Sequence, residues 1–259
     1  MELFVADLIE RFYTALWPFL RIGAMLIAVP VLSIDAVSVR IRVILTLALT
    51  LMIYPLVDWP TIDPVSAAGL AEIFNQILIG VLMGFFLQIV TAAVVLAGQA
   101  IANSMGLAMA TMVDPGIGTV PLMSQFLLIL ATLIFLGVGG HILMIGILLR
   151  SFETFPVGVA FISGANFAAL IEWSAMIFLG GLLMALPVLV ALLLVNTGVG
   201  VITRAAPSLN IFAVGFPVFF LTGYVVLILS MAGIGARIQW LWMEGIDRVK
   251  DFVLVPGVL

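Results

Sequence analysis

Residues able to do acid–base, thiol or metal chemistry are scarce in this chain. The 259 residues include no cysteine and a single histidine, His141. These counts exclude thiol catalysis, disulfides, Cys-ligated metals and HExxH zinc sites. There is also no GxSxG nucleophile elbow, no GxGxxG turn after a strand and no phosphate-cradling loop. The sequence therefore predicts no enzyme, no cofactor and no metal site, and we interpret His141 as a hydrogen-bonded packing residue rather than a proton acceptor.

One arginine, Arg21, stands inside an apolar run. A guanidinium buried at membrane depth needs a carboxylate, carbonyl groups or water, and marks a functional site by default. The alternatives are snorkelling to an interface or a first helix outside lipid. Four acidic residues, Glu72, Asp114, Glu153 and Glu172, lie at or near predicted helix ends, where carboxylates commonly cap or face water. Arg21 is thus a candidate buried charge without an assigned partner.

A second set of polar side chains follows one face of a long apolar segment. The spacing i, i+3, i+11 and i+15 places them on one helical stripe, and they are Gln88, Thr91, Gln99 and Asn103. Amides at membrane depth are costly unless a neighbouring helix or water satisfies them. The stripe therefore predicts a polar seam, either within the chain or against partner helices or an aqueous path.

The same segment runs into three methionines and then a turn. Met105, Met109 and Met112 occupy i, i+4 and i+7, which is one face of a helix, and methionine is a flexible residue that fills irregular gaps. Asp114-Pro115-Gly116 should end that helix, because proline removes an amide donor and glycine allows unusual backbone angles. The methionines could be ordinary core or a face that closes and reopens a hole.

Composition requires that these residues are positioned by membrane helices. The chain is 65% hydrophobic and 8% charged, with a mean hydropathy of +1.40, which is too apolar for one soluble domain. A net charge of −4 without a basic stripe argues against nucleic acid as a partner. The segment Met1 to Arg11 carries acidic residues where a secretory leader would have lysines, so we expect the first apolar run to be retained.

The charged residues separate about six candidate helices, since about 20 apolar residues are needed for each crossing. They are approximately Phe12 to Leu32, Arg42 to Val57, Ile73 to Asn103, Leu122 to Leu149, Trp173 to Thr203, and Phe212 to Ile238. Arg42 to Val57 is short, whereas the uncharged run from Glu72 to Asp114 would reach about 60 Å as one helix. Some helices must therefore be tilted, broken or outside the bilayer.

Small residues and charges give weaker indications about packing and orientation. Gly80 and Gly84 form a GxxxG pair, and Gly181 with Ala185 is a second small pair, both typical of close helix packing. Alternate connections between the predicted helices face opposite sides of the membrane, and both sets contain Lys or Arg residues. The positive-inside rule therefore does not determine the orientation of the chain. The last charges, Arg237, Arg248 and Lys250 among acidic residues, indicate a solvated amphipathic helix.

Several motifs in a fixed order resemble the flagellar biosynthetic protein FliR family. The first group is Met105-Gly106-Leu107-Ala108, Met112-Val113-Asp114-Pro115-Gly116 and Pro121. The others are Pro30-Val31-Leu32-Ser33, Gly140-His141, Phe155-Pro156-Val157-Gly158, Pro187-Val188, Asn210-Ile211-Phe212 and Gly215-Phe216-Pro217. The resemblance covers essentially the whole chain.

The resemblance implies a non-enzymatic subunit of the flagellar type III protein export gate in the bacterial inner membrane, at the flagellar basal body. The implied partners are FliP and FliQ, which would form with this chain a closed helical pore, together with FlhB, unfolded export substrates and membrane lipid. It implies an all-α fold of about six long helices in kinked hairpins, standing largely out of the bilayer plane when assembled. The homologous subunit of a virulence type III secretion system and, less favoured, a multi-pass solute permease are the alternatives.

The resemblance also implies a single domain, 1–259, with two internal parts. Residues 1–172 would be FliP-like, and 173–259 would be a FliQ-like helical hairpin. The loop 106–121 would be a plug inside the pore, formed by Met105, Gly106, Met109, Met112, Asp114, Pro115, Gly116 and Pro121, with Met109 and Met112 at its narrowest part. Relatives carry phenylalanine at such positions, so methionine here would make a softer seal.

Overall fold

A computed structural model describes residues 2–31, 37–107, 122–159, 161–205 and 211–254. Within these ranges the chain contains eight α-helices and no strand, which confirms the all-α fold. In chain order the helices are α1 (Glu2–Ala28), α2 (Val39–Ile53), α3 (Ala67–Ser104), α4 (Leu122–Gly137), α5 (Gly140–Thr154), α6 (Gly164–Ser174), α7 (Met176–Ala205) and α8 (Ile211–Leu254). A 3-10 helix, Tyr54–Leu56, follows α2 directly.

Two of the predicted segments are broken where the sequence indicated a continuous helix. Leu122 to Leu149 divides into α4 and α5, which are bent by 64°. Gly139 lies at the break with φ +72°, a left-handed conformation that glycine adopts without steric cost and that helix interiors exclude. The segment starting at Trp173 likewise breaks at a turn at Ala175, between α6 and α7.

Helices α3 and α8 are longer than an ordinary membrane-spanning helix. α3 has 38 residues and α8 has 44, or roughly 57 Å and 66 Å at 1.5 Å per residue. By length and composition four helical segments could cross a membrane, or five if the bent pair α4 and α5 is one span, within the part of the chain that is described. Pro187 and Pro217 lie inside α7 and α8.

By their internal contacts the described residues form two compact units. Unit 1 comprises Met1–Ile89, Gly139–Ser174 and Glu244–Leu259, and unit 2 comprises Val90–Val138 and Ala175–Met243. Each unit therefore combines stretches that are distant in sequence.

The core of unit 1 is built where α1 packs on the beginning of α3. The buried apolar side chains there include Trp17, Ile22, Met25, Ile79, Met83 and Phe86. The GxxxG glycines lie in this contact, because a Cβ on Gly80 would overlap the carbonyl of Arg21 and one on Gly84 would overlap Ala28. The pair thus permits the close backbone approach that such motifs are known for.

The core of unit 2 joins α4 to the later part of α8, and α7 to α3. The Trp242 ring packs 4.7 Å from the Phe135 ring, and its indole N–H donates to the Ala131 carbonyl at 2.9 Å. On α7, a Cβ on Gly181 would lie 2.9 Å from the Ala93 carbonyl, and Ala185 is fully buried. The second small pair therefore also lies at a tight helix contact.

The charged end of α8 is helical and amphipathic, as its sequence indicates. Arg248 pairs with Glu244 at 3.2 Å and Lys250 with Asp247 at 2.6 Å, all of them partly exposed. The opposite face buries Val249 and other apolar side chains. This stretch is continuous with α8 instead of forming a separate tail helix.

Candidate functional site

Arg21 is the centre of a polar cluster inside unit 1. Its side chain is fully buried in the protein, so the guanidinium neither snorkels to an interface nor faces solvent. The Nε donates to Gln76 Oε1 at 2.7 Å, Nη1 donates to the Ser151 carbonyl at 2.6 Å and to its Oγ at 3.1 Å, and Nη2 donates to the Phe155 carbonyl at 2.7 Å. The guanidinium therefore joins α1 to α3 and to the end of α5.

The end of α5 supplies a favourable place for a cation. The last carbonyls of a helix lack intrahelical partners and carry the negative end of the helix dipole. Arg21 donates to the Phe155 carbonyl, which lies beyond the last residue of α5, and to the Ser151 carbonyl, which also accepts from the Phe155 amide at 3.0 Å; the guanidinium lies 4.3 Å from the centre of the Phe152 ring. Cation–π attraction adds to these charge-assisted hydrogen bonds.

The carboxylate that balances Arg21 is reached through an amide. Gln76 accepts from Arg21 and donates through Nε2 to Glu72 Oε1, one turn earlier on α3. Asn75 Nδ2 lies 3.4 Å from the same oxygen. Glu72 is 1% exposed, and its Oε2 has no hydrogen-bond partner among the described residues.

The role first assigned to Glu72 is therefore wrong. It does not cap or solvate a helix end, because α3 begins at Ala67 and places Glu72 inside the helix and against the core. His141 is also misassigned as a packing residue, since it is exposed in the first turn of α5. Within the described ranges no group of three or more His, Cys, Asp and Glu side chains could hold a metal ion.

The cluster is suited to holding helices together at a fixed register. All of the Arg21 hydrogen bonds described above run to protein acceptors, and the side chains around it are buried. Gln76 and Ser151 were not found by sequence analysis. The only available signal was Gln76 lying four residues after Glu72, a spacing that places both on one helix face.

The second candidate site is the loop 106–121, and its first residues are clearly defined. α3 ends at Ser104, and Gly106 has φ +78°. The Leu107 amide donates to the Ala102 carbonyl at 3.0 Å and the Gly106 amide to the Asn103 carbonyl at 3.1 Å. This is the Schellman arrangement that terminates helices at a left-handed glycine.

The predicted segment Ile73 to Asn103 ends one residue before α3 does, but α3 does not continue through the methionines toward the Asp-Pro-Gly turn. Met105 lies beyond the last residue of α3, and its side chain is fully buried. A Cβ on Gly223 of α8 would lie 2.5 Å from Met105 Cγ, so this glycine makes room for the methionine. The remaining plug positions lie outside the described residues, and they are Met109, Met112, Asp114, Pro115, Gly116 and Pro121.

The base of this loop is fixed by a tight contact between α3 and α4 in unit 2. A Cβ on Gly98 would lie 2.5 Å from the Ser124 Cα. Ser124 is fully buried, and its Oγ donates to the Val95 carbonyl at 3.0 Å. The two helices that carry the loop are thus in backbone contact just below it.

The predicted polar seam lies on the more open side of α3. Gln88, Thr91 and Gln99 are half-buried and Asn103 is exposed, whereas Ala97 on the opposite side is fully buried. A seam directed at partner helices or an aqueous path stays a prediction.

Comparison with known proteins gives a consistent set of similarities. The family model of bacterial export proteins, family 1, matches residues 12–245. Flagellar biosynthetic protein FliR of Pectobacterium carotovorum subsp. carotovorum is 37% identical over 248 residues, which is 95% of each chain. FliR of Escherichia coli (strain K12) is 34% identical over 92% of this chain and 91% of the relative. FliR of Bacillus subtilis (strain 168) is 28% identical over 97% of this chain and 99% of the relative.

Proposed function

Because the chain belongs to the bacterial export proteins, family 1, and is a component of flagellar type III export, we propose that it is a subunit of the export gate. In this proposal it forms with FliP and FliQ, in the inner membrane at the flagellar basal body, a closed pore for unfolded flagellar proteins. FlhB is a further proposed partner. The loop 106–121 is the proposed plug of that pore.

The observation that carries the plug proposal is the way in which the loop is held. On one side α3 ends in a Schellman turn at Gly106, with Met105 buried against Gly223. On the other side α4 begins at Leu122 and touches α3 at Ser124. Both ends of the loop are therefore held on packed helices, which is the support that a plug at this place requires.

Shortening the loop tests the plug. Residues 109–118 would be replaced by a short Gly-Ser link, keeping Met105 to Leu107 and the start of α4 so that both anchors remain. We expect the assembled complex to leak small ions, measured as current across a lipid bilayer, because the apolar seal is removed. A matched control replaces Met52 by Ser, since Met52 is exposed on α2 and far along the chain from the loop. A shortened complex as tight as the intact one would exclude the plug role.

The case for partner subunits is carried by unburied apolar surface on the later helices. Of the most apolar window of Pro217–Leu254 only 17% is buried, and of Gly164–Ala205 33%, against 61% for α3. On these helices Leu193, Leu194 and Leu229 are exposed. Large apolar surfaces of this kind are covered by lipid or by other subunits.

We also propose that residues 173–259 are the FliQ-like hairpin. Supporting this, Gly180 near the start of α7 contacts Leu241 late in α8, which is the contact expected of antiparallel neighbours joined by a short connection. The apolar faces of that hairpin would then pack against FliQ. Native mass measurement of the purified assembly tests the partners, and a stable monomer or homodimer would contradict the gate proposal and with it the plug of that gate.

A further inference from the structure

A cavity in unit 1 lies between α5 and the end of α8 and combines apolar walls with two cations. Its volume is about 250 Å³. The apolar part of the lining includes Ile142, Leu143, Gly146, Ile147 and Val253, and the two cations are Arg150 and Lys250. No acidic side chain is among the residues that line it.

The charge of the cavity favours an anion. Arg150 is exposed and forms no ion pair with any residue that the structure describes. Lys250 binds Asp247 at 2.6 Å, with 39% of the lysine side chain and 56% of the aspartate exposed. Such an exposed pair is worth little in water and can exchange one anion for another.

The two cations also occupy equivalent places on their helices. Arg150 lies four residues before the end of α5 at Thr154, and Lys250 lies four residues before the end of α8 at Leu254. Both helices belong to segments long and apolar enough to cross a membrane. At such helix ends long basic side chains reach the level of the lipid headgroups.

Along α5 the lining changes from apolar to charged. Ile142, Gly146 and Arg150 are spaced by about one turn on one face, so the backbone of Ile142 lies roughly 12 Å along the helix from that of Arg150. Basic pockets between membrane helices are known sites for anionic lipid headgroups. We propose that this cavity binds one anionic phospholipid, with its phosphate between Arg150 and Lys250 and the first part of an acyl chain along Ile142 to Ile147.

The test uses the intact export assembly purified with this chain and stripped of lipid in detergent. Phosphatidylglycerol, phosphatidylcholine or soluble glycerol phosphate is added, and bound lipid is measured by native mass spectrometry. We expect phosphatidylglycerol to bind, and Arg150→Gln and Lys250→Gln each to weaken its binding about fivefold. Gly146→Leu should also reduce binding of phosphatidylglycerol, because a side chain there enters open space within the cavity.

Matched controls separate the site from the rest of the surface. Arg237→Gln removes an exposed arginine elsewhere on α8, and Gly233→Leu adds a leucine at another glycine without close neighbours. Both should leave phosphatidylglycerol binding unchanged. Equal binding by the cavity variants and the unmodified assembly would overturn the proposal, as would glycerol phosphate competing as strongly as phosphatidylglycerol. If a partner subunit fills the cavity, the cavity variants will bind phosphatidylglycerol as well as the unmodified assembly does, which also overturns the proposal.

Discussion

Replacing Arg21 by methionine should destabilise the chain more than any change of an exposed arginine. Methionine keeps much of the length of the side chain and removes every donor. The change leaves two acceptors without the donor described for them, namely Gln76 Oε1 and the Phe155 carbonyl, while the Ser151 carbonyl keeps the Phe155 amide. It also leaves the carboxylate of Glu72 buried without a balancing cation.

The expected magnitude follows from these losses. Each buried acceptor left unsatisfied costs about 1–3 kcal/mol, and removing one partner of a buried charge pair costs about 3–5 kcal/mol in total. The surroundings relax and the terms are not additive, so we expect the lower total, about 3–5 kcal/mol. For a chain of this size that corresponds to a Tm lower by roughly 6–20 °C.

Thermal unfolding of the purified protein, in one detergent and at one scan rate, measures the effect. Arg237→Met is the matched control, because Arg237 is exposed on α8 and its loss should change the free energy of unfolding by less than about 0.5 kcal/mol. Arg21→Lys should fall between the two, since an ammonium keeps the charge but cannot reproduce the planar set of donors. If Arg21→Met and Arg237→Met have the same Tm, the cluster does not hold these helices together and the reasoning is refuted.

Two further changes probe packing in each unit. Gly84→Leu should lower the Tm by several degrees, because a side chain there overlaps Ala28 on α1. Gly198→Leu on α7 is the control, since a side chain there meets open space and should leave the Tm unchanged. Equal Tm values for the two variants would contradict the close contact. Trp242→Phe removes the indole N–H that donates to the Ala131 carbonyl at 2.9 Å. We expect the free energy of unfolding to fall by about 1–3 kcal/mol, because the carbonyl loses its donor and the ring is smaller. The same unfolding assay measures this, and an unchanged Tm would show that the hydrogen bond contributes nothing.

Most helices could be predicted because their apolar runs are long and bounded by charges and turn residues. The breaks were harder to predict. Gly139 is one of 24 glycines, and only its left-handed conformation distinguishes it as the point where α4 and α5 separate. The end of α3 at Ser104 lies one residue after the predicted end at Asn103. The helical spacing of the methionines nevertheless runs past Gly106, because periodicity does not register a Schellman turn.

By itself the sequence determined an all-α fold of long apolar helices, and its ordered motifs determined the family, because composition and motif order are properties of the chain alone. The partners of Arg21 were decided only by the tertiary structure. Ser151 and Phe155 are 130 and 134 residues away along the chain, and no periodicity connects residues on different helices. The acceptors at the end of α5 are also backbone carbonyls, which every residue carries, so they leave no signature in the sequence.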